Sequence, residues 1–256
     1  MKQVPAGTKV DIDPETGAMK RLSGETRTNP YDLFPLGVAL QLREKVGGSV
    51  TVLTMGPPQA EEMMRDAYTM GADDAIILSD RKFAGADVLA TSYALSQGIT
   101  AIGDVDLIIC GKQTTDGDTA QVGPAIAEHL GIPHAAWVSE IVDADSESIQ
   151  VKQDLVSVSQ TSKIPYPCLI TVDKDMCVPR LPSYLLQKQS KDRPVKIMTF
   201  EDMADQNLSK YGLVGSPTAV EKMFAPPEVE KQVYFDGDAK EKTKQLFDVL
   251  VNKKVI

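Results

Sequence analysis

DLIICGKQTTDGDTAQVGPAIAEHLG, residues 106–131, decides how the chain folds. It opens on an apolar run, DLIIC, with the pattern of a buried strand. A loop of small and polar residues with two aspartates follows. The loop then turns into a helix pattern: Val122, Ile126 and Leu130 lie one turn apart, Gly131 stops the helix, and Pro133 stands just beyond. Strand, loop and helix in this order are half of a βαβ unit.

The same rhythm runs upstream. SVTVLTMG (49–56) reads as a strand, QAEEMMRDAYTMG (59–71) as a helix closing on Gly71, and DDAIILSD (73–80) as the next strand. The loop RKFAGAD leads into the helix VLATSYALSQGI, and DVDLIIC (104–110) is the third clear strand. Earlier, Asn29-Pro30 reads as a helix start, with Asn as N-cap and Pro at the first helical position. The helix carries Leu33, Leu36 and Leu40 at helical spacing and ends on Gly47-Gly48; Pro35 lies near its first turn, where a missing N–H costs least. Residues 8–28 read as a hairpin or excursion, with TKVDID alternating and DPETG as its turn. Strands alternating with helices predict parallel βαβ units in a doubly wound α/β sheet. After Pro133 the pattern changes. AAWVSEIV, SIQVKQ, LVSVSQT and YPCLITV predict an antiparallel extension of that sheet. From about Pro182 the chain is polar and loses the rhythm. Residues 1–185 therefore read as one α/β domain, and 186–256 as an extended arm with a terminal helix, AKEKTKQLFDVLVNK, that wraps a partner.

Bulk composition narrows the function. The chain has 256 residues and is 42% hydrophobic, enough for a sizeable core. Its longest apolar run is far short of the roughly 20 residues of a membrane span, and MKQVPAG has no apolar signal-peptide core. Three cysteines, Cys110, Cys168 and Cys177, form no C-x-x-C pair, so a reduced, cytoplasmic protein is expected. A net charge of −9 argues against nucleic acid, whose backbone calls for clustered Lys and Arg.

In open parallel sheets, ligands sit beyond the carboxyl ends of the strands. Those ends are MGPP (55–58), SDRKFAGAD (79–87) and CGKQTTDGDTAQVGP (110–124), and they should converge on one crevice. The last loop runs into a helix N-terminus, where main-chain N–H groups and the helix dipole bind an anion without any cation. Gly117 permits a tight turn, and Thr119 and Gln121 offer side-chain hydrogen bonds. The aspartates suit ribose hydroxyls, or a helix cap, better than phosphate. The loop is neither G-x-G-x-x-G nor a P-loop. Spacing alone leaves a second reading open, an Asp-Gly turn with a capped helix. Other candidates carry less. His129 and His134 lack neighbouring carboxylates or thiols for a metal. Cys110 ends a strand and reads as core, as do Met55, Met63, Met64 and Met70. No G-x-S-x-G nucleophile signature is present.

GKQTTDGDTAQVGPAIAEHLG resembles the signature of the electron-transfer flavoprotein beta (small) subunit. So do KQVP (2–5), NPYDLF (29–34), VLTMGPPQAEE, YTMGADDAIILSD (68–80), PCLITVDKD (167–175) and GLVGSPTAV (212–220), in collinear order over nearly the whole chain. The resemblance implies a Rossmann-like three-layer adenine-nucleotide-binding domain, mostly parallel, with an antiparallel extension and a C-terminal arm that embraces the alpha subunit. It also implies a cytoplasmic electron carrier. One kind in the family holds a structural AMP in this subunit and one FAD in the alpha subunit. The other, from anaerobes, holds a second FAD in place of AMP and oxidises NADH there. GDTAQVGP, DRKFAGADVLATS (80–92) and GSPTAV are similar to the second kind.

The resemblance implies residue roles as well. Gly111, Lys112, Gln113, Thr114, Thr115, Asp116, Gly117, Asp118, Thr119, Ala120, Gln121 and Val122 would wrap the AMP half of the nucleotide, chiefly through main-chain N–H groups. Asn29, Pro30, Tyr31 and Asp32 would line the adenosine or flavin side, Met55 and Gly56 would close the crevice, and Tyr31 or Phe34 would lie against the flavin ring. Phe83, Gly85, Ala86 and Asp87 would flank NADH. The implied activity is NADH oxidation with electrons divided between ferredoxin and, through the alpha-subunit FAD, a dehydrogenase of the acyl-CoA or lactate dehydrogenase type. Two departures from the family pattern stand out. The family opens with an apolar strand ahead of KQVP, whereas this sequence begins Met1-Lys2, so contacts from that strand are not carried over. A family N-E-P-R stretch appears as Cys177-Val178-Pro179-Arg180, so the role of its glutamate is not carried over either. A stress-protein-like ATP or AMP sensor shares this kind of nucleotide-binding fold, but such a module needs no arm like 186–256.

Overall fold

A computed structural model describes residues 1–6, 11–12, 19–20, 26–155, 157–219 and 233–256. β1 (Gln3–Pro5), β2 (Asp11–Ile12), β3 (Met19–Lys20) and β4 (Thr26–Thr28) form two antiparallel pairs, β1 with β4 and β2 with β3. This is the excursion expected over 8–28; its DPETG turn lies outside the described residues. α1 (Pro30–Val46) begins with Pro at its first position and stops at Gly47, whose φ of 85° suits glycine alone. Then come β5 (Thr51–Met55), α2 (Glu61–Met70), β6 (Asp74–Leu78), α3 (Val88–Ile102), β7 (Leu107–Gly111) and α4 (Val122–Leu130). The alternation read from the sequence is present throughout this stretch.

The next part differs from expectation. β8 (His134–Ala144), β9 (Ser148–Leu155) and β10 (Val158–Pro165) form an antiparallel meander, as the alternating pattern predicts. β11 (Cys168–Val172) is not a fourth antiparallel strand: it inserts between β7 and β8 and runs parallel to both. The physical reason lies in its composition. All five residues are buried, as a central strand covered on both faces demands. α5 (Tyr184–Gln189) and β12 (Lys196–Met198) follow, then α6 (Ala239–Asn252). β12 pairs parallel to β6, and Met198, Phe200, Met203 and Tyr211 are buried in one core cluster with Phe83.

The strands fall into a five-stranded sheet, β10-β9-β8-β11-β7, and a three-stranded sheet, β12-β6-β5. Among the described residues β5 and β7 have no strand partner on their second edges. The two sheets act as one middle layer because the same helices cover both. α1 sends Leu36 and Leu40 onto Val52 and Ile77 of the smaller sheet, and Phe34 and Leu42 onto Leu107, Ile109 and Ile170 of the larger. On the opposite face, α3 packs Tyr93, Ala94 and Leu95 against Leu53, Ile76 and Leu78, and Leu95 and Ile99 against Ile108 and Leu169. Layers of helix, sheet and helix result. The chain's first residues lie at the seam: the Met1 ammonium donates to the Leu53 carbonyl at 2.7 Å.

Leu40 is fully buried between α1, α2 and the smaller sheet. Leu40→Ala is expected to cost about 2–5 kcal/mol, read as a lowered midpoint in chemical denaturation.

Candidate functional site

β7 ends on Gly111 against the first turn of α1. A Cβ there would lie 2.7 Å from both the Asp32 carboxylate and the Tyr31 carbonyl, so only glycine permits the approach. This proximity shapes the loop that follows. Asn29 stands at the N-cap of α1, as expected, but it is fully buried and its side chain makes no cap bond. Its Nδ2 donates to the Gln113 carbonyl at 3.0 Å, and its Oδ1 accepts the Thr115 amide at 3.3 Å. The loop bonds satisfy the side chain better than the helix end would. Asp32, also buried, accepts the Lys2 amide at 2.6 Å, and burial raises its pKa.

The loop then folds on itself. Asp118 N–H donates to the Thr114 carbonyl, and Gly117 N–H to the Thr114 hydroxyl and the Asp116 carboxylate. Asp116 also pairs with Lys2 at 2.7 Å. Burial opposes the charge of Asp116, but Lys2, Thr114 and the Gly117 amide outweigh it and hold the carboxyl below its usual range. Asp118 and Ala120 adopt left-handed backbones, φ 52° and 54°, while Gln121 at the head of α4 is right-handed and its side chain accepts no cap bond. Alternation of this kind turns successive amides to one side, the arrangement of an anion-binding nest. Among the described residues, the amides of Thr119, Ala120, Gln121, Val122 and Gly123 meet no acceptor. Neither aspartate caps the helix. The open first turn of α4 fits a phosphate group, through main-chain donors and the helix dipole. Gly123 is buried there: a Cβ would lie 2.6 Å from the Thr171 methyl, so α4 sits directly on β11.

Two of the three predicted loops come together through the N-terminus. Lys2 holds Asp116 and Asp32, while Gln3 reaches the Gln59 carbonyl after β5. Met55 packs under α3 beside Leu53, and the Gly56 amide donates to the Leu78 carbonyl. Pro30 and Tyr31 are half-buried at the start of α1. Phe34 packs into the core of the larger sheet. The loop after β6 stands apart, and no hydrogen bond among the described residues joins it to 111–122. Phe83 is buried against Phe200 and Tyr211. Asp87 caps α3 through Ala90 N–H and accepts both the amide and the hydroxyl of Thr218, at 3.1 and 2.6 Å. Gly85 is exposed and Ala86 half-exposed.

Residues 205–218 strap this loop in place. The Leu213 amide donates to the Ala84 carbonyl at 2.9 Å. Asp205 anchors the strap: it pairs with Lys210 at 2.7 Å and accepts the Tyr93 hydroxyl of α3.

Three residues beside the nest escaped the sequence reading. The Lys112 ammonium bonds Asp173 at 2.8 Å and lies 4.8 Å from the centroid of the Trp137 ring. Thr171 accepts the Trp137 amide at 2.9 Å. Asp173 follows the carboxyl end of β11, so reading PCLITV as a parallel strand would have placed it at the ligand edge.

The electron transfer flavoprotein domain matches residues 16–204. The chain belongs to the electron transfer flavoprotein family. It is similar to the electron transfer flavoprotein subunit beta of Thermoanaerobacterium thermosaccharolyticum, 41% identical over 100% of this chain and 98% of that one. It is also similar to the acryloyl-CoA reductase electron transfer subunit gamma of Anaerotignum propionicum, at 39% over 100% and 98%. Protein FixA of Bradyrhizobium diazoefficiens is 40% identical over 98% of this chain and 89% of that one. Within the electron transfer flavoprotein family its place is that of the beta subunit, whose counterpart is an alpha subunit. No helix among the described residues is long and apolar enough to cross a membrane.

Gly123→Ala should cost about 1–3 kcal/mol from overpacking against Thr171 and, if the open turn takes a phosphate, weaken AMP binding by displacing the first turn of α4. A thermal melt with a calorimetric AMP titration checks both; unchanged affinity would count against the nest. Lys210 first, then Tyr93, lowers Asp205 from 3.8 to about 2. A depressed folded pKa stabilises above the unfolded value and stops doing so as pH falls through the folded one. The stability gap between the native chain and Asp205→Asn should therefore hold at neutral pH and shrink between about pH 4 and 2, as followed by acid unfolding.

Proposed function

We propose that this beta subunit binds FAD with the diphosphate on the amides of residues 119–123, and that it oxidises NADH. Electrons would then pass to ferredoxin and, through the alpha-subunit FAD, to a partner dehydrogenase. The observation that carries the nucleotide part is the uncapped start of α4, where amides behind left-handed Asp118 and Ala120 meet no acceptor among the described residues. When bound, the flavin supplies the redox chemistry; the chain supplies position. Gly111, Lys112, Gln113, Thr114, Thr115, Asp116, Gly117 and Val122 hold the loop in shape more than they offer side chains to the ligand. Asn29 and Asp32 do the same from α1, being already bonded within the protein. Pro30, Tyr31, Met55 and Gly56 edge the crevice. NADH would meet the exposed backbone at Gly85 and Ala86.

A relative's role as an acryloyl-CoA reductase electron transfer subunit favours an acyl-CoA-type dehydrogenase over a lactate dehydrogenase-like one as the acceptor. The alpha subunit would take the C-terminal arm. α6 has no buried residue and exposes Leu246, Phe247 and Val251, the last two one turn apart.

One observation favours the rival reading, a structural AMP with no NADH reaction. Phe83 and Asp87, the two larger side chains expected beside NADH, are engaged in the core and in the Thr218 clamp. Denaturing the purified heterodimer and recording the absorption of the released ligands separates the two. Two flavins per heterodimer are expected; one flavin together with AMP would overturn the FAD and NADH parts and leave the nest intact.

A further inference from the structure

Trp137 holds a conformation that its residue type resists. It lies where β8 shifts register against β11, and its φ is 59°. A bulky residue in the left-handed region persists only when its surroundings enforce it, and such sites cluster where ligands bind. The enforcement is visible. Thr171 accepts the Trp137 amide at 2.9 Å, and the methyl of the same threonine lies where a Cβ on Gly123 would be. One threonine side chain thus stands between the Trp137 backbone and the first turn of α4. Trp137 as a residue is 36% exposed. Lys112 lies over its ring, 4.8 Å from the centroid, and Asp173 fixes that ammonium at 2.8 Å. Lys112 and Asp173 directly follow β7 and β11, and the register of β8 sets Trp137 level with the end of β11, so the trio gathers at the carboxyl ends of β7 and β11.

We propose that Trp137 is the stacking platform for the heterocycle of the nucleotide whose phosphate the 119–123 amides take. The inference rests on the nucleotide reading above and adds the residue that meets the ring. A cation pinned to one side of the indole orients it and leaves the other side for a flat nitrogen heterocycle, adenine or isoalloxazine, by offset stacking. Phe34 does not compete for this role, since it packs into the core of the larger sheet.

The full chain, freed of ligand and refolded to its native melting temperature, is titrated calorimetrically with AMP and with FAD as wild type, Trp137→Leu and Trp137→Phe. Trp137→Leu should weaken binding by about tenfold, the worth of one lost stack, and Trp137→Phe should restore most of it. Loss with both ligands assigns adenine to the platform; loss with FAD alone assigns isoalloxazine. Trp137 is the chain's one tryptophan, so saturation with AMP should also change its fluorescence if adenine is the ring that stacks. Unaltered affinity in Trp137→Leu, or equal loss in the leucine and phenylalanine variants, overturns the platform and leaves the nest standing. A wild-type chain that takes neither AMP nor FAD overturns the nucleotide reading, and the platform with it.

Discussion

The close approach of α1 to the end of β7 is the contact on which the rest depends. Gly111 lacks the Cβ that would strike Asp32 and the Tyr31 carbonyl, so the first turn of α1 lies against the strand end. From there Asn29 reaches into the loop and Asp32 holds the Lys2 amide. Both polar side chains are buried, and a buried polar group left unpaired costs more than the bond it makes. Loop and helix start are therefore fixed together. Because α1 also covers both sheets, the same contact ties the ligand loop to the rigid middle layer.

A middle layer in two pieces sets its own constraint. β5 and β7 carry edge carbonyls and amides that no strand among the described residues takes up, and the Met1 ammonium reaches one of them, Leu53. Cohesion across the seam comes from side chains of α1 and α3, packed from opposite faces, rather than from a continuous ladder. Burial of such aliphatic side chains is worth about 1.5–3 kcal/mol each, so the two helices can carry the joint. The proposed ligand edge lies at this seam, as expected where strand order reverses in an open sheet.

Much of this was legible in the sequence, for physical reasons. β5, α2, β6, α3, β7 and α4 each lie where apolar runs and helical patterns alternate in the sequence, with Gly71 and Gly131 ending helices. β11 was misread because a short, wholly apolar strand carries no alternation to reveal its partners. Its five buried residues fit a central parallel position, yet the antiparallel strands before it suggested a fourth. Asn29 was read locally, as a cap, whereas its partners lie more than eighty residues away. The nest was legible in part. Gly117 and the helix start marked it, but left-handed Asp118 and Ala120 have no composition signal. Trp137 and Asp173 were hidden because their role depends on the register of β8 and β11.

The acidity of the loop now has an account. Its nearby cations are already spent: Lys2 on Asp116, and Lys112 on Asp173 and the indole. With net charge −9, a site built from ion pairs would have to overcome the field of its own protein. Main-chain amides avoid that difficulty, since partial charges aimed from one side act at hydrogen-bond range and bring no counter-charge that must itself be balanced. The aspartates shape the turn instead of meeting the ligand, and each has a bond or a backbone geometry to show for it. A loop with acids in the place of bases is thus consistent with anion binding, provided the donors are amides and the acids are bonded within the loop and to Lys2.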